Sequence, residues 1–164
     1  MKLFQKSAVL ALSMAMIFGV FSAQAEEKKN YTYTEGEVVY EIGMEKAEAF
    51  KTLGEAKSDR DVNTCANGYV NKAYTFGQTD KDIEVYCEQD KEAGKEIVAS
   101  ITLLTANVAT EEGLKVGDDA DAVVKAYPDA KKGLGSYTTV KGDTEIYIKM
   151  KGKNVSYIAY QSAE

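Results

Sequence analysis

The chain has no histidine, no tryptophan, one proline and two cysteines in 164 residues. Without histidine, mechanisms that need an imidazole base are excluded, and so is every His-ligated metal site. Neither cysteine then has an imidazole to activate it as a nucleophile. Two thiolates alone would fill only half of a tetrahedral zinc shell. Basic residues are in the minority, 20 Lys+Arg against 26 Asp+Glu, for a net charge of −6. That balance argues against nucleic acid as a partner, because phosphate binding needs a basic face. The Pro/Ser/Gln bias of a disordered chain is also missing, and 45% hydrophobic residues are enough to build a core.

Long apolar runs are absent except near the start. Ala8 to Phe21 is apolar apart from Ser13, with Lys2 and Lys6 before it and Ala23-Gln24-Ala25 after it. A basic flank, a short apolar stretch and a small-x-small site predict a signal peptide over 1–25, cut after Ala25. At about 1.5 Å per residue the run is too short to cross ~30 Å of hydrocarbon. No stable membrane span is expected in the remainder, which is read as secreted or extracytoplasmic. In that setting Cys65 and Cys87 are expected to form a disulfide, worth roughly 3 kcal/mol.

The pattern that follows predicts an α+β fold. Residues 26–36 are polar and read as a flexible leader. Val38 to Ile42 suggests a strand and Glu45 to Leu53 a helix, with Ala47, Phe50 and Leu53 at three-residue spacing and Gly54 as the stop. Residues 55–67 read as a polar loop. Strands are expected at Tyr69–Phe76, Ile83–Cys87 and Ile97–Thr105. A second helix carries Ala120, Val123, Val124 and Tyr127 and ends at Pro128. Strands at Ser136–Val140, Thr144–Met150 and Val155–Gln161 close the chain. In the last of these both Val155/Tyr157/Ala159 and Ile158/Tyr160 are candidates for the inward face. Ile42-Gly43 aligns with Val116-Gly117 at an offset of 74 residues. The expected layout is therefore a first repeat over 37–105, a linker over 106–113 and a second repeat over 114–164. The two units would share one antiparallel sheet with both helices on one face.

The segments Ile42–Gly54 and Val116–Pro128 resemble the repeat helix of β-lactamase-inhibitor-protein-like folds. They are also similar to the helix-plus-sheet unit of small outer-membrane-assembly lipoproteins. Residues 109–117 look like the linker of small exported bacterial proteins of unknown role. The resemblance implies tandem units with helices on one sheet face and an open opposite face that binds protein partners. It implies no catalytic residue. The chain departs from the pattern in having no Trp for that face and unequal sheet portions.

No constellation in the sequence supports an enzyme, a cofactor or a metal site. Asp118, Asp119 and Asp121 sit where acids cap a helix and oppose its dipole; a cation site is the alternative reading of them. Asp59, Asp61 and Asn63 have calcium-loop spacing, but Thr64 and Val70 stand where Gly and Glu are required. Asp80 and Asp82 are expected in a solvated turn. Tyrosine is the plentiful recognition residue, with 11 copies. If Ile83/Val85/Cys87 and Ile146/Ile148/Met150 pack on the helices, Tyr86, Tyr147 and Lys149 fall on the other sheet face. They are the candidate binding residues. Charge is uneven: residues 26–130 carry 12 basic and 23 acidic groups, residues 131–164 carry 6 and 3. The expected function is non-enzymatic binding, inhibitor-like, of a protein or cell-envelope component through the open face. A secreted carboxylate-dependent hydrolase and a structural envelope protein are the alternatives.

Overall fold

A computed structural model describes residues 30–35, 38–63, 70–79, 81–90 and 94–163. Residues 1–25 and Cys65 lie outside these, so the expected signal peptide and disulfide fall outside the described residues.

The elements in chain order are β1 (Tyr33–Glu35), β2 (Val38–Tyr40), α1 (Lys46–Leu53), β3 (Ser58–Asn63), β4 (Val70–Phe76), β5 (Ile83–Asp90), β6 (Lys95–Leu103), α2 (Ala120–Ala126), β7 (Lys131–Gly133), β8 (Ser136–Lys141), β9 (Thr144–Lys151) and β10 (Asn154–Ser162). β1 and β2 form a separate hairpin, and the other strands make one sheet in the order β3-β4-β5-β6-β10-β9-β8-β7. Every pairing is antiparallel. The expected antiparallel sheet with two helices is present.

Strict alternation decides which face is inside. Ile83, Val85 and Cys87 on β5 and Ile146 and Ile148 on β9 are all 1% exposed or less. Each such side chain taken from water contributes roughly 1.5–3 kcal/mol. The helices cover this face. The Phe50 ring meets Tyr74 and Phe76 edge-on at 4.9 and 5.0 Å, while Val123 of α2 is fully buried in the same core. Helices of eight and seven residues are marginal alone, so this packing is what holds them. The β1–β2 hairpin joins the same side: Tyr33 stacks on Tyr40 at 5.9 Å and touches Tyr160 of β10 at 6.2 Å. Residues 33–35, expected within a flexible leader, are thus a strand, anchored by the buried ring of Tyr33.

Both helices begin after the same backbone device. Gly43 (φ 91°) donates to the Val98 carbonyl at 2.8 Å, and Val98 N–H donates back to Met44 O at 2.9 Å. Gly117 (φ 96°) donates to Val155 O at 2.9 Å, and Val155 N–H donates to Asp118 O at 2.7 Å. Both glycines occupy the left-handed region that a Cβ disfavours. Glu45 then bridges Ile97, and Asp119 bridges Asn154.

One further expectation is corrected, and one strand is added that the sequence pattern did not indicate. Residues 58–63, read as loop, are edge strand β3; its Asp-Arg-Asp run hides strand character because sheet edges carry charge. β7 (Lys131–Gly133), the opposite edge, is three exposed residues and shows no apolar pattern. The face of β10 is settled by a bulge. The register slips between Val155 and Tyr157, so Val155 shares the inward face with Ile158 and Tyr160. β6 slips likewise against Cys87, placing Val98, Ile101 and Leu103 inward.

Candidate binding face

Opposite the helices, the outer face of the sheet is uncovered by any other described element. Pairing fixes its rows. Ala159 lies opposite Thr102 on one side and Tyr147 on the other, and Gln161 lies between Ser100 and Glu145. With Glu84 and Tyr157, all of these side chains except Glu145 line a shallow groove of about 530 Å³. It straddles the β6–β10 junction. Tyr147 and Tyr157 supply its aromatic wall, their ring centroids 6.0 Å apart and their planes tilted by 39°. Small Ala159, 7% exposed, gives the rings a low floor.

The carboxylates at the rim are engaged. Arg60 holds Glu84 through Nη2 to Oε1 at 2.9 Å and Nε to Oε2 at 3.3 Å. Gln161 Nε2 donates to Glu145 Oε1 at 2.8 Å. What remains available within the groove is aromatic surface and hydroxyls. Such groups recognise a ligand by area and hydrogen bonding; a reaction needs convergent titratable groups.

The residues expected from sequence are spread out. Tyr147 lies in the groove. Lys149 stands opposite Tyr157 on the neighbouring strand, half-buried. Tyr86 is on the same face, but β6 and β10 separate its strand from that of Tyr147. At ~4.8 Å per strand spacing the two strands are roughly 14 Å apart. The buried Asn71 amide donates to the Tyr86 hydroxyl at 2.6 Å, which fixes that ring against β4. Sequence reading missed Tyr157. The signal was the spacing Val155-x-x-Ile158-x-Tyr160, which matches Val98-x-x-Ile101-x-Leu103 and marks a bulge.

A second cleft, about 610 Å³, lies at the other side, with Glu35, Lys57, Asp82 and Asn107 among its lining residues. Here a carboxylate pair has divergent acidities, the usual mark of acid–base work. Glu35 is raised by partial desolvation and by the Asp82 charge. Asp82 is held well below the ordinary range by hydrogen bonds from Thr105 and Thr79, assisted by Asn107. Its oxygens are fully used. Oδ1 accepts from Thr79 Oγ1 (2.6 Å), Thr105 Oγ1 (2.6 Å) and Asn107 Nδ2 (3.0 Å), and Oδ2 accepts from the N–H groups of Gln78 (2.8 Å) and Thr79 (3.1 Å). The expected solvated turn residue is therefore a buried clamp, 1% exposed, with no lone pair left for catalysis.

The acids before α2 act as caps. Asp119 Oδ1 accepts from Ala122 N at 2.9 Å and Asp118 Oδ2 from Lys115 N at 2.8 Å. Among the described residues no group of three or more potential ligands could hold a metal ion. Cys87 is fully buried on the helix side, and burial pushes its thiol up to about 12, far from a nucleophile's range. No described helix is long and apolar enough to cross a membrane. No protein-family model, curated protein or solved structure matches the chain.

Proposed function

We propose that the protein is an exported, non-enzymatic binding module that recognises a protein or cell-envelope component through the open face of its sheet. One observation carries this reading: the helices and the β1–β2 hairpin lie on one side, leaving the Tyr147–Tyr157 groove across the middle strands uncovered. Tyrosines offer large contact area at low entropic cost. The hydrolase alternative loses support because Asp82, the most perturbed carboxylate, is saturated by donors within the fold.

The test uses purified protein as bait against the native secretome, beside Tyr147→Ala and Tyr157→Ala. Capture of a defined species should weaken by ~1–3 kcal/mol, roughly 5- to 150-fold, for either variant. Unfolding midpoints should move little, since neither ring is fully buried. Equal capture by all three proteins would remove the groove from consideration. Export has its own check. The extracytoplasmic protein should begin at Glu26, and a secreted form retaining Met1 would contradict it.

The same proposal treats the chain as two copies of one unit, α1 with β3–β6 and α2 with β7–β10. Several equivalences support it. The glycine devices correspond at the offset of 74 noted in the sequence, and so do the bridges made by Glu45 and Asp119. The bulges fall at matching places on β6 and β10, and Tyr74 and Tyr137 are both buried on the helix face. The groove then lies where the two copies meet, so each supplies part of it.

A further inference from the structure

The groove is lined by none of Lys131, Lys132, Lys151 and Lys153, nor by the Gly133-Leu134-Gly135 turn. They meet at one corner of the fold. Leu134, at the tip of the β7–β8 hairpin, is 102% exposed, about twice the value of Val70 or Val140 at 55%. The Gly135 carbonyl accepts from Met150 N at 3.0 Å, tying the tip to the end of β9. This sets it beside the β9–β10 turn, so that Lys132, Gly133, Gly135 and Lys153 line one cleft.

Lys131, Lys132, Lys151 and Lys153 are all exposed. Among the described residues every ion pair lies between positions 45 and 96, and none involves these four. Lys132 leans over the Tyr137 ring, 5.8 Å from its centroid. The carboxylates facing the cleft are Asp119 and Asp121, the first engaged as a cap; Asp129 is at the end of β7 away from the tip.

We propose that this corner docks the protein on an anionic lipid bilayer, with Leu134 entering the headgroup region and the four lysines meeting lipid phosphates. Two features favour a bilayer over a soluble polyanion. A polyanion would engage the lysines and leave Leu134 in water, whereas a membrane surface takes both. The remaining surface is acidic, 23 acidic against 12 basic groups over residues 26–130, so an anionic surface repels it and turns the basic corner inward. One leucine and a few lysines give weak, reversible attachment. This inference is independent of the sheet-face reading.

The chain has no Trp, so Leu134→Trp introduces a single indole as a local reporter. Purified protein is mixed with vesicles of equal phosphatidylglycerol and phosphatidylcholine, and with vesicles of phosphatidylcholine alone. Cosedimentation should be at least about tenfold stronger with the anionic vesicles, and the indole emission should shift to the blue. Leu134→Ser should lower partitioning about tenfold, and each of Lys132→Gln and Lys153→Gln roughly fivefold. Added salt should weaken binding. These exposed positions should leave thermal melts unchanged. No binding to anionic vesicles, or equal binding to neutral ones, overturns the proposal. So does binding indifferent to Leu134→Ser; if heparin then competes fully, the corner is a site for a soluble polyanion.

Discussion

Asp82→Ala should lower folding stability by about 4 kcal/mol. Each buried donor left without an acceptor typically costs about 1–3 kcal/mol, less where water can reach it. Here five donors on three segments would lose their acceptor: Gln78 and Thr79 in the β4–β5 turn, Thr105 just after β6, and Asn107 beyond it. A domain has roughly 5–15 kcal/mol in total, so the variant approaches the threshold of folding. Asp82→Asn keeps the shape but turns an amide N–H₂ toward donors, and should cost about half as much. Chemical denaturation measures both. The carboxyl is depressed in the folded protein, so the unfolded chain binds the extra proton as acid is added. The stabilisation is therefore complete above the unfolded value of ~3.9 and declines as pH falls below it toward the much lower folded value. Wild type should lose stability steeply below about pH 4, and Asp82→Ala should have a shallower acid limb. Parallel acid limbs would show that the clamp is not ionised in the native state.

Gly77→Ala should be nearly as damaging, at about 3–4 kcal/mol. Gly77 has φ +119°, a conformation that L side chains rarely adopt. A Cβ there would stand 2.4 Å from Asp82 Cβ and 2.5 Å from its Oδ2, so the clamp must move. Strain and overpacking each contribute roughly 1–3 kcal/mol. The steric part should vanish when Asp82 is already Gly. The double variant Gly77→Ala/Asp82→Gly should therefore be more stable than the sum of the single effects by about 1–2 kcal/mol. Additive melts would place the cost in the backbone alone.

Where alternation was uninterrupted, the sequence was readable. Ile83-Glu84-Val85-Tyr86-Cys87 and Ile146-Tyr147-Ile148 each show one aliphatic and one polar or aromatic face, and this is how the sheet presents them. α1 and α2 were legible from helical spacing and from Gly54 and Pro128 as stops. The missed features are those in which local chemistry masks period two. β3 carries the charges of an edge, β7 is too short to show a period, and β1 is three residues with only Tyr33 turned inward. In β10 the bulge at Ser156 merges two phases, which concealed Tyr157 and with it half of the aromatic groove. Asp82 was missed for a different reason. A turn acid preceding an apolar strand looks solvated until Thr105 and Asn107, more than twenty positions later, fold back onto it.

The strand order has a consequence for biogenesis. β10, the last of the described strands in chain order, takes a place in the middle of the sheet between β6 and β9. Until it arrives, β6 presents an open edge from Ser100 to Leu103, and β9, paired with β8 on one side, is open along the other. The four strands β3–β6 can assemble early, yet they wait beside a vacant lane that any other extended chain is able to enter. Completion of the sheet is thus deferred until β10 has been made. A nascent chain stalled before Asn154 would be an aggregation hazard, and a chaperone that shields one strand edge would suffice to guard it.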